Sequence, residues 1–184
     1  FERSKRKTSV VGNIGKAVIG AALEATKDDW LVTEVSSFQL ETTREFRPLV
    51  SAILNLTPDH LNRHHTMEAY GAAKAKIFAN QNKEQYLIIN YDDKLCFDLA
   101  KDAECTVVPF SRKSKLDYGV ILEDNKIYVN DKDNKVYICD KRDIRIIGDH
   151  NVENVLAAVG ICYFAGIAKE VIAEGIRNFG GVEH

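Results

Sequence analysis

Short, nearly uninterrupted apolar runs alternate with helix-spaced segments through the first two thirds of this chain. That alternation limits the fold more than any other feature. The runs are Trp30-Leu31-Val32, Val50-Ser51-Ala52-Ile53-Leu54, Tyr86-Leu87-Ile88-Ile89 and Thr106-Val107-Val108, preceded by Thr8-Ser9-Val10-Val11. Runs this short and this apolar suit buried strands of a parallel sheet, and parallel strands need crossovers, which are right-handed. The segments between them are expected to be helical. Gly12 to Gly15 turns the first strand into a helix carrying Ala17, Val18, Ala21, Ala22 and Leu23 at helical spacing. Thr66 caps a helix over Met67 to Asn80, and Asp92 and Asp93 open another through about Lys101. Phe1 to Lys7 reads as the tail of a helix.

The texture changes after Asp117. Tyr118–Leu122, Lys126–Val129 and Val136–Ile138 alternate apolar and polar residues around Glu123-Asp124-Asn125 and Asp131-Lys132-Asp133-Asn134. These are hairpin signals. The predicted fold is therefore α/β, a mostly parallel sheet flanked by helices, with a small antiparallel subsheet near residues 117–146. An apolar helix from Val152 to about Phe164 and a second from Lys169 to Asn178 complete it.

Formal charge is −2 from 25 basic and 27 acidic residues, which supports neither a nucleic-acid-binding nor a membrane surface. No apolar run is long enough to span a bilayer, no signal-peptide pattern occurs, and a cytoplasmic monomer is expected. Cys96, Cys105, Cys139 and Cys162 lack C-x-x-C spacing, so zinc is not expected and reduced thiols are.

Chemistry is expected where strands end. Glu34 leaves one strand at Thr33-Glu34-Val35-Ser36-Ser37-Phe38-Gln39-Leu40-Glu41, His60 follows the next, and Lys74 lies on the helix entered from that loop. If the two strands are parallel neighbours, all three face one edge of the sheet, where α/β ligands gather. A carboxylate and an imidazole can ligate a metal, and an ammonium cannot until its amine is modified. Each residue also has a plain structural reading: a loop acid, a turn cap with His64 or His65 as alternatives, and a solvated lysine. Gly12 to Gly15 offers helix N–H groups to a pyrophosphate or is a bare turn, and Asn151 reads as a helix cap. Asn90-Tyr91-Asp92-Asp93 is accounted for by capping.

Three segments together resemble the central domain of the Mur ligases, ATP-dependent amide-forming enzymes of peptidoglycan assembly. They are Glu34 to Glu41, Asn55-Leu56-Thr57-Pro58-Asp59-His60-Leu61-Asn62-Arg63, and Tyr70-Gly71-Ala72-Ala73-Lys74-Ala75-Lys76-Ile77-Phe78. The Ser-Ser-Phe-Gln-Leu-Glu form is most similar to the D-glutamate-adding branch. The resemblance implies a P-loop-type fold, ATP, two Mg²⁺ ions, and the substrates UDP-N-acetylmuramoyl-L-alanine and D-glutamate. It implies that Glu34, His60 and a carbamylated Lys74 hold metal, with His60 and Lys74 catalytic. Asn13, Ser36 and Gln39 resemble substrate-contacting positions, and Asn151 and Asn154 those near the adenine. Phe38-Gln39 favours the D-glutamate step over another Mur or folylpolyglutamate-type ligase, and retention of Glu34, His60 and Lys74 together disfavours a non-catalytic binding module.

The family's P-loop is expected upstream of Phe1, since Gly12-Asn13-Ile14-Gly15-Lys16 lacks its spacing and closing hydroxyl. An N-terminal uridine-nucleotide domain, and a C-terminal domain beyond Gly180–His184, are likewise expected outside this segment. Residues 1–184 are thus expected to be a central domain that does not ligate alone. The check is an ATP-dependent ligation assay on these 184 residues, in which robust turnover contradicts the expectation.

Overall fold

The structure, a computed structural model, describes residues 1–181. In chain order it forms β1 (Thr8–Gly12), α1 (Val18–Glu24), β2 (Trp30–Glu34), α2 (Ser37–Glu41), β3 (Val50–Ile53), α3 (Leu61–His64) and α4 (Met67–Ala75). There follow β4 (Tyr86–Asn90), α5 (Lys94–Asp98), β5 (Thr106–Ser111), β6 (Gly119–Glu123), β7 (Lys126–Asp131), β8 (Asn134–Asp140), α6 (Asp149–Phe164) and α7 (Lys169–Asn178). The α/β expectation holds. Strands β3 to β6 are parallel, and β7 and β8 extend that sheet antiparallel in the order β3-β4-β5-β6-β7-β8.

Strand β4 is the centre. Leu87, Ile88 and Ile89 are all fully buried. Successive side chains of a strand point to opposite faces, so burial of three in a row requires cover on both. Ile88 joins Val108, Val155, Leu156 and Val159 on the α6–α7 side, while Leu87 and Ile89 join Ile53, Tyr70, Phe78 and Cys96 on the α4–α5 side. Helix α6 packs tightly on the sheet at Gly160, where a Cβ would lie 3.0 Å from Ile88 Cγ2.

The β6–β7 hairpin closes through Asp124 and Asn125, both at positive φ (48° and 57°), with Glu123 paired to Lys126. Two consecutive left-handed residues match the strands' twist, and Asp and Asn tolerate that conformation best after glycine. Lys115 and Lys135 flank Glu123, and their hydrogen bonds pull its carboxyl pKa down to about 2.

Several expectations are corrected. Strands β2 and β3 are not neighbours: among the described residues β2 pairs only with β1, in a separate two-stranded parallel sheet, and β3 only with β4. Gly12 to Gly15 does not open a helix, because α1 starts at Val18; instead Lys16 N–H donates to Val10 O and Gly12 N–H to Lys16 O. Helix α4 stops at Ala75 and continues only as turns, with Ile77, Phe78 and Ala79 N–H groups bonding three residues back. Phe1 to Lys7 holds a single 3-10 turn, Glu2–Ser4. The short helices α2 and α3 lie where no helix was expected. Val182–His184 lie outside the described residues.

Truncating Leu156 leaves a void in the layer between α6 and the sheet. Leu156→Ala is expected to destabilise the fold by about 2–5 kcal/mol, read from urea unfolding.

Candidate active site

The first part of the site is the carboxyl end of β1 and β2. Gly12 and Glu34 are register partners, and Asn13 N–H donates to Glu34 O at 2.8 Å. That approach requires Gly12, whose φ is +107° and whose added Cβ would meet Glu34 O at 2.1 Å. The Glu34 side chain is exposed and has no hydrogen-bond or ion-pair partner among the described residues. Asn13 is also exposed. Because the Gly12, Asn13 and Lys16 N–H groups are bonded within the chain, this loop is not the open anion cradle that a helix N-terminus would be.

Two residues on, Ser36 and Gln39 form a capping box. Ser36 Oγ accepts from Gln39 N–H at 3.3 Å, and Gln39 Oε1 accepts from Ser36 N–H at 2.9 Å. The S-x-x-Q spacing carries this signal, and it is what turns the segment after Glu34 into α2 rather than a loop. Both predicted substrate-contacting side chains therefore already hold the helix end.

The second part lies beyond β3. His60 is exposed, sits at φ 53°, and has Asp59 Oδ1 accepting its N–H at 2.8 Å and Asp59 Oδ2 3.3 Å from its Nε2. His65, at the other end of α3, is also left-handed (φ 66°). Such non-glycine strain persists only where surrounding structure imposes it, and it concentrates at ligand sites. Helix α4, capped by Thr66 Oγ1 on Ala69 N–H at 3.1 Å, presents Tyr70 and Lys74 one turn apart. Lys74 Nζ lies 5.0 Å from the Tyr70 ring centre, and the His60 ring lies 6.4 Å from the same ring. Tyr70 is thus a common neighbour of His60 and Lys74. Lys74 has no carboxylate partner among the described residues.

Beneath these groups the loops are tied to β4. Asn90 Nδ2 donates to Leu54 O at 2.9 Å, and Asp93 Oδ2 accepts Leu56 N–H at 2.8 Å while its Oδ1 caps α5 at Cys96 N–H, 3.0 Å. Asp92 accepts from Ser111 Oγ (2.6 Å) and Arg112 N–H (2.8 Å). Capping and loop tethering thus account for the Asn90–Asp93 motif. No cysteine is a candidate nucleophile: burial pushes the Cys96 thiol up to about 12 and Cys139 up to about 11.

The third part is a cavity of about 890 Å³ between α6, α7 and the Ile144–Ile147 loop. Asn151 and Asn154 stand on its wall, with Asn154 Nδ2 3.4 Å from Asn151 Oδ1. Asn151 is not a helix cap, because α6 begins two residues earlier with Gly148 at the cap position; its Nδ2 donates to Ile147 O at 2.7 Å.

A parallel α/β sheet with its polar loops gathered at the strands' carboxyl ends defines a ligand-binding α/β domain. The chain belongs to the Mur ligase family: residues 5–162 match the Mur ligase middle domain. It is 48% identical over all 184 residues to UDP-N-acetylmuramoylalanine--D-glutamate ligase of Thermoanaerobacter sp. (strain X514), and 50% identical over the same length to the ligase of that name from Clostridioides difficile (strain 630). It spans about 40% of the length of these relatives. In fold it is similar to MurF from Acinetobacter baumannii, with a TM-score of 0.67 at 15% identity over 98% of this chain and 48% of that one. It is likewise similar to the UDP-N-acetylmuramate:L-alanyl-gamma-D-glutamyl-meso-diaminopimelate ligase from Neisseria meningitides, at 0.67 and 14% identity over 97% of this chain and 68% of that one. Among the described residues no helix is long and apolar enough to cross a membrane.

The Gly12–Glu34 contact yields a local test. Gly12→Ala is expected to destabilise the fold by more than about 1 kcal/mol, because a strained φ is added to a clash with backbone. The same variant should displace the Asn13 and Glu34 amide resonances in a heteronuclear NMR spectrum.

Proposed function

We propose that this chain is the middle domain of a cytoplasmic, ATP-dependent ligase that joins D-glutamate to UDP-N-acetylmuramoyl-L-alanine during peptidoglycan assembly. The observation that carries this reading is identity of 48–50% along the whole chain to ligases named for that reaction. The Ser-Ser-Phe-Gln-Leu-Glu segment supports the D-glutamate step in particular.

The donor types at these positions support magnesium as part of this reading. Glu34 offers free carboxylate oxygens and His60 an exposed imidazole, while Lys74 is an amine without an acid partner among the described residues. No three His, Cys, Asp or Glu side chains among the described residues converge as a metal cluster, so the set needs the oxygens of a carbamylated Lys74 or of substrate. Glu34, His60 and carbamylated Lys74 would hold the metal, with two ions in all. Magnesium there would offset the repulsion between ATP and the substrate carboxylate and the charge that develops in transfer.

The reaction transfers the γ-phosphoryl group of ATP to the substrate carboxylate, giving an acyl phosphate and ADP. The D-glutamate amine then attacks the acyl carbon, phosphate leaves and the nitrogen loses a proton. In this chain His60 and Lys74 carry the catalytic roles, and Asn13, Ser36 and Gln39 orient the acyl substrate at the Glu34 end of the site. Asn151 and Asn154 contact the adenine at the large cavity. The P-loop, the uridine-nucleotide domain and the C-terminal domain belong to the rest of the protein. The edges of β2 and β3, each paired on one side only, suit an added P-loop strand. The whole enzyme is read as a monomer.

The test uses the full-length protein with ATP, Mg²⁺, UDP-N-acetylmuramoyl-L-alanine and a panel of amino acids, with product followed by mass spectrometry. D-Glutamate is expected to be the preferred amine, and preference for another overturns the assignment. Lys74→Ala is expected to lower kcat by at least about 100-fold and to remove a ¹³C carbamate resonance seen after ¹³C-bicarbonate labelling.

A further inference from the structure

His64 is the imidazole that the proposed chemistry leaves unused, and it is the more deeply placed of the two. Its side chain is 4% exposed, against 45% for His60. Its Nε2 lies 3.0 Å from Ser37 Oγ, itself buried, and its Nδ1 lies 3.5 Å from Glu41 Oε1. A carboxylate facing Nδ1 favours a proton there, because a lone pair would be repelled. Nε2 and the Ser37 hydroxyl share the hydrogen bond on the other side of the ring. The serine–histidine–acid order resembles that of a hydrolase, but Ser37 is 3% exposed at the first turn of α2, so no substrate reaches its oxygen.

What the relay joins is more informative. Ser37 and Glu41 are the first and last residues of α2, the helix whose cap is Ser36 and Gln39. His64 is the last residue of α3, which begins just after His60. The imidazole also stacks on Phe38 (5.6 Å, 9°) and meets Tyr70 of α4 at 5.2 Å. On the outer side, Arg63 Nη2 bonds Glu41 Oε2 at 2.6 Å and holds the Glu41 carboxyl below its ordinary value. One ring therefore touches the substrate helix, the His60 helix and the Lys74 helix.

We infer that His64 is a positioning residue: the Glu41–His64–Ser37 relay fixes the Ser36–Gln39 end of α2 against the His60 and Lys74 side of the site. The inference rests on the ligase reading for its functional consequence and on geometry alone for the relay. Misplacing a reacting group by about 1 Å can lower a rate by about 100-fold, so a buried clamp without substrate contact has leverage on kcat.

The experiment uses the full-length protein. His64→Phe keeps an aromatic ring against Phe38 and Tyr70 and removes both polar contacts, whereas His64→Gln keeps one donor and one acceptor. His64→Phe is expected to lower kcat by about 10-fold or more while the KM for ATP stays within about twofold, and His64→Gln to recover most of the loss. Wild-type kcat in the Phe variant, or equal loss in both variants, overturns the inference. Independently of turnover, ¹⁵N NMR of the wild-type imidazole should show an exchange-protected proton on His64 Nδ1, and an unprotonated Nδ1 overturns the relay. If the wild type prefers another amine, the ligase reading is corrected while both arms are still read with that amine.

Discussion

Complete burial of β4 on both faces is the constraint from which the remaining structure follows. A strand with Leu87, Ile88 and Ile89 all inaccessible cannot lie at an edge or under a single layer. It needs parallel partners on each side, which β3 and β5 supply, and helices above and below, which α6 and the α4–α5 pair supply. Parallel pairing in turn sends every connecting loop of β3, β4 and β5 out at the same end. The polar residues at that end, Asn90, Asp93 and Ser111, then tie neighbouring loops together.

The site is built on this tethering. Asp93 holds Leu56, and the chain from Leu56 leads within four residues to His60, whose left-handed backbone is thereby kept in a conformation it would not choose alone. Tyr70, only 5% exposed, anchors α4 in the core and lies beside both Lys74 and His60. Glu34 arrives from a different sheet, held by the Gly12 backbone. Chain segments from two separately hydrogen-bonded sheets therefore contribute to one active-site proposal.

Most of the sheet was legible because its signals are local. Val50–Leu54, Tyr86–Ile89 and Thr106–Val108 are apolar runs whose burial and β propensity agree, and Asp124-Asn125 spells its own turn. Pairing was not local: nothing in residues 30–54 says that β2 and β3 belong to different sheets, since strand order depends on partners far along the chain. Helix α2 could have been read from Ser36-x-x-Gln39, but a five-residue helix lacks the apolar period that reveals longer ones. The Gly12–Gly15 turn resembled a helix entry because glycine marks both that and a close backbone approach. Only the Glu34 carbonyl, supplied from 22 positions away in sequence, decides between them. His64 was weighed only as an alternative to His60, because its partners Ser37 and Glu41 become neighbours through tertiary contact alone.

The reciprocal bonds between Ser36 and Gln39 have a thermodynamic corollary. A molecule that took the place of the Ser36 N–H on the Gln39 amide oxygen would cost the helix one of its two end bonds, roughly 1 kcal/mol. Recognition at Gln39, under the proposed role, and loss of that bond would then be a single linked equilibrium. A poorly matched molecule would return too little to offset the lost bond, so the helix end itself would act as a threshold for discrimination.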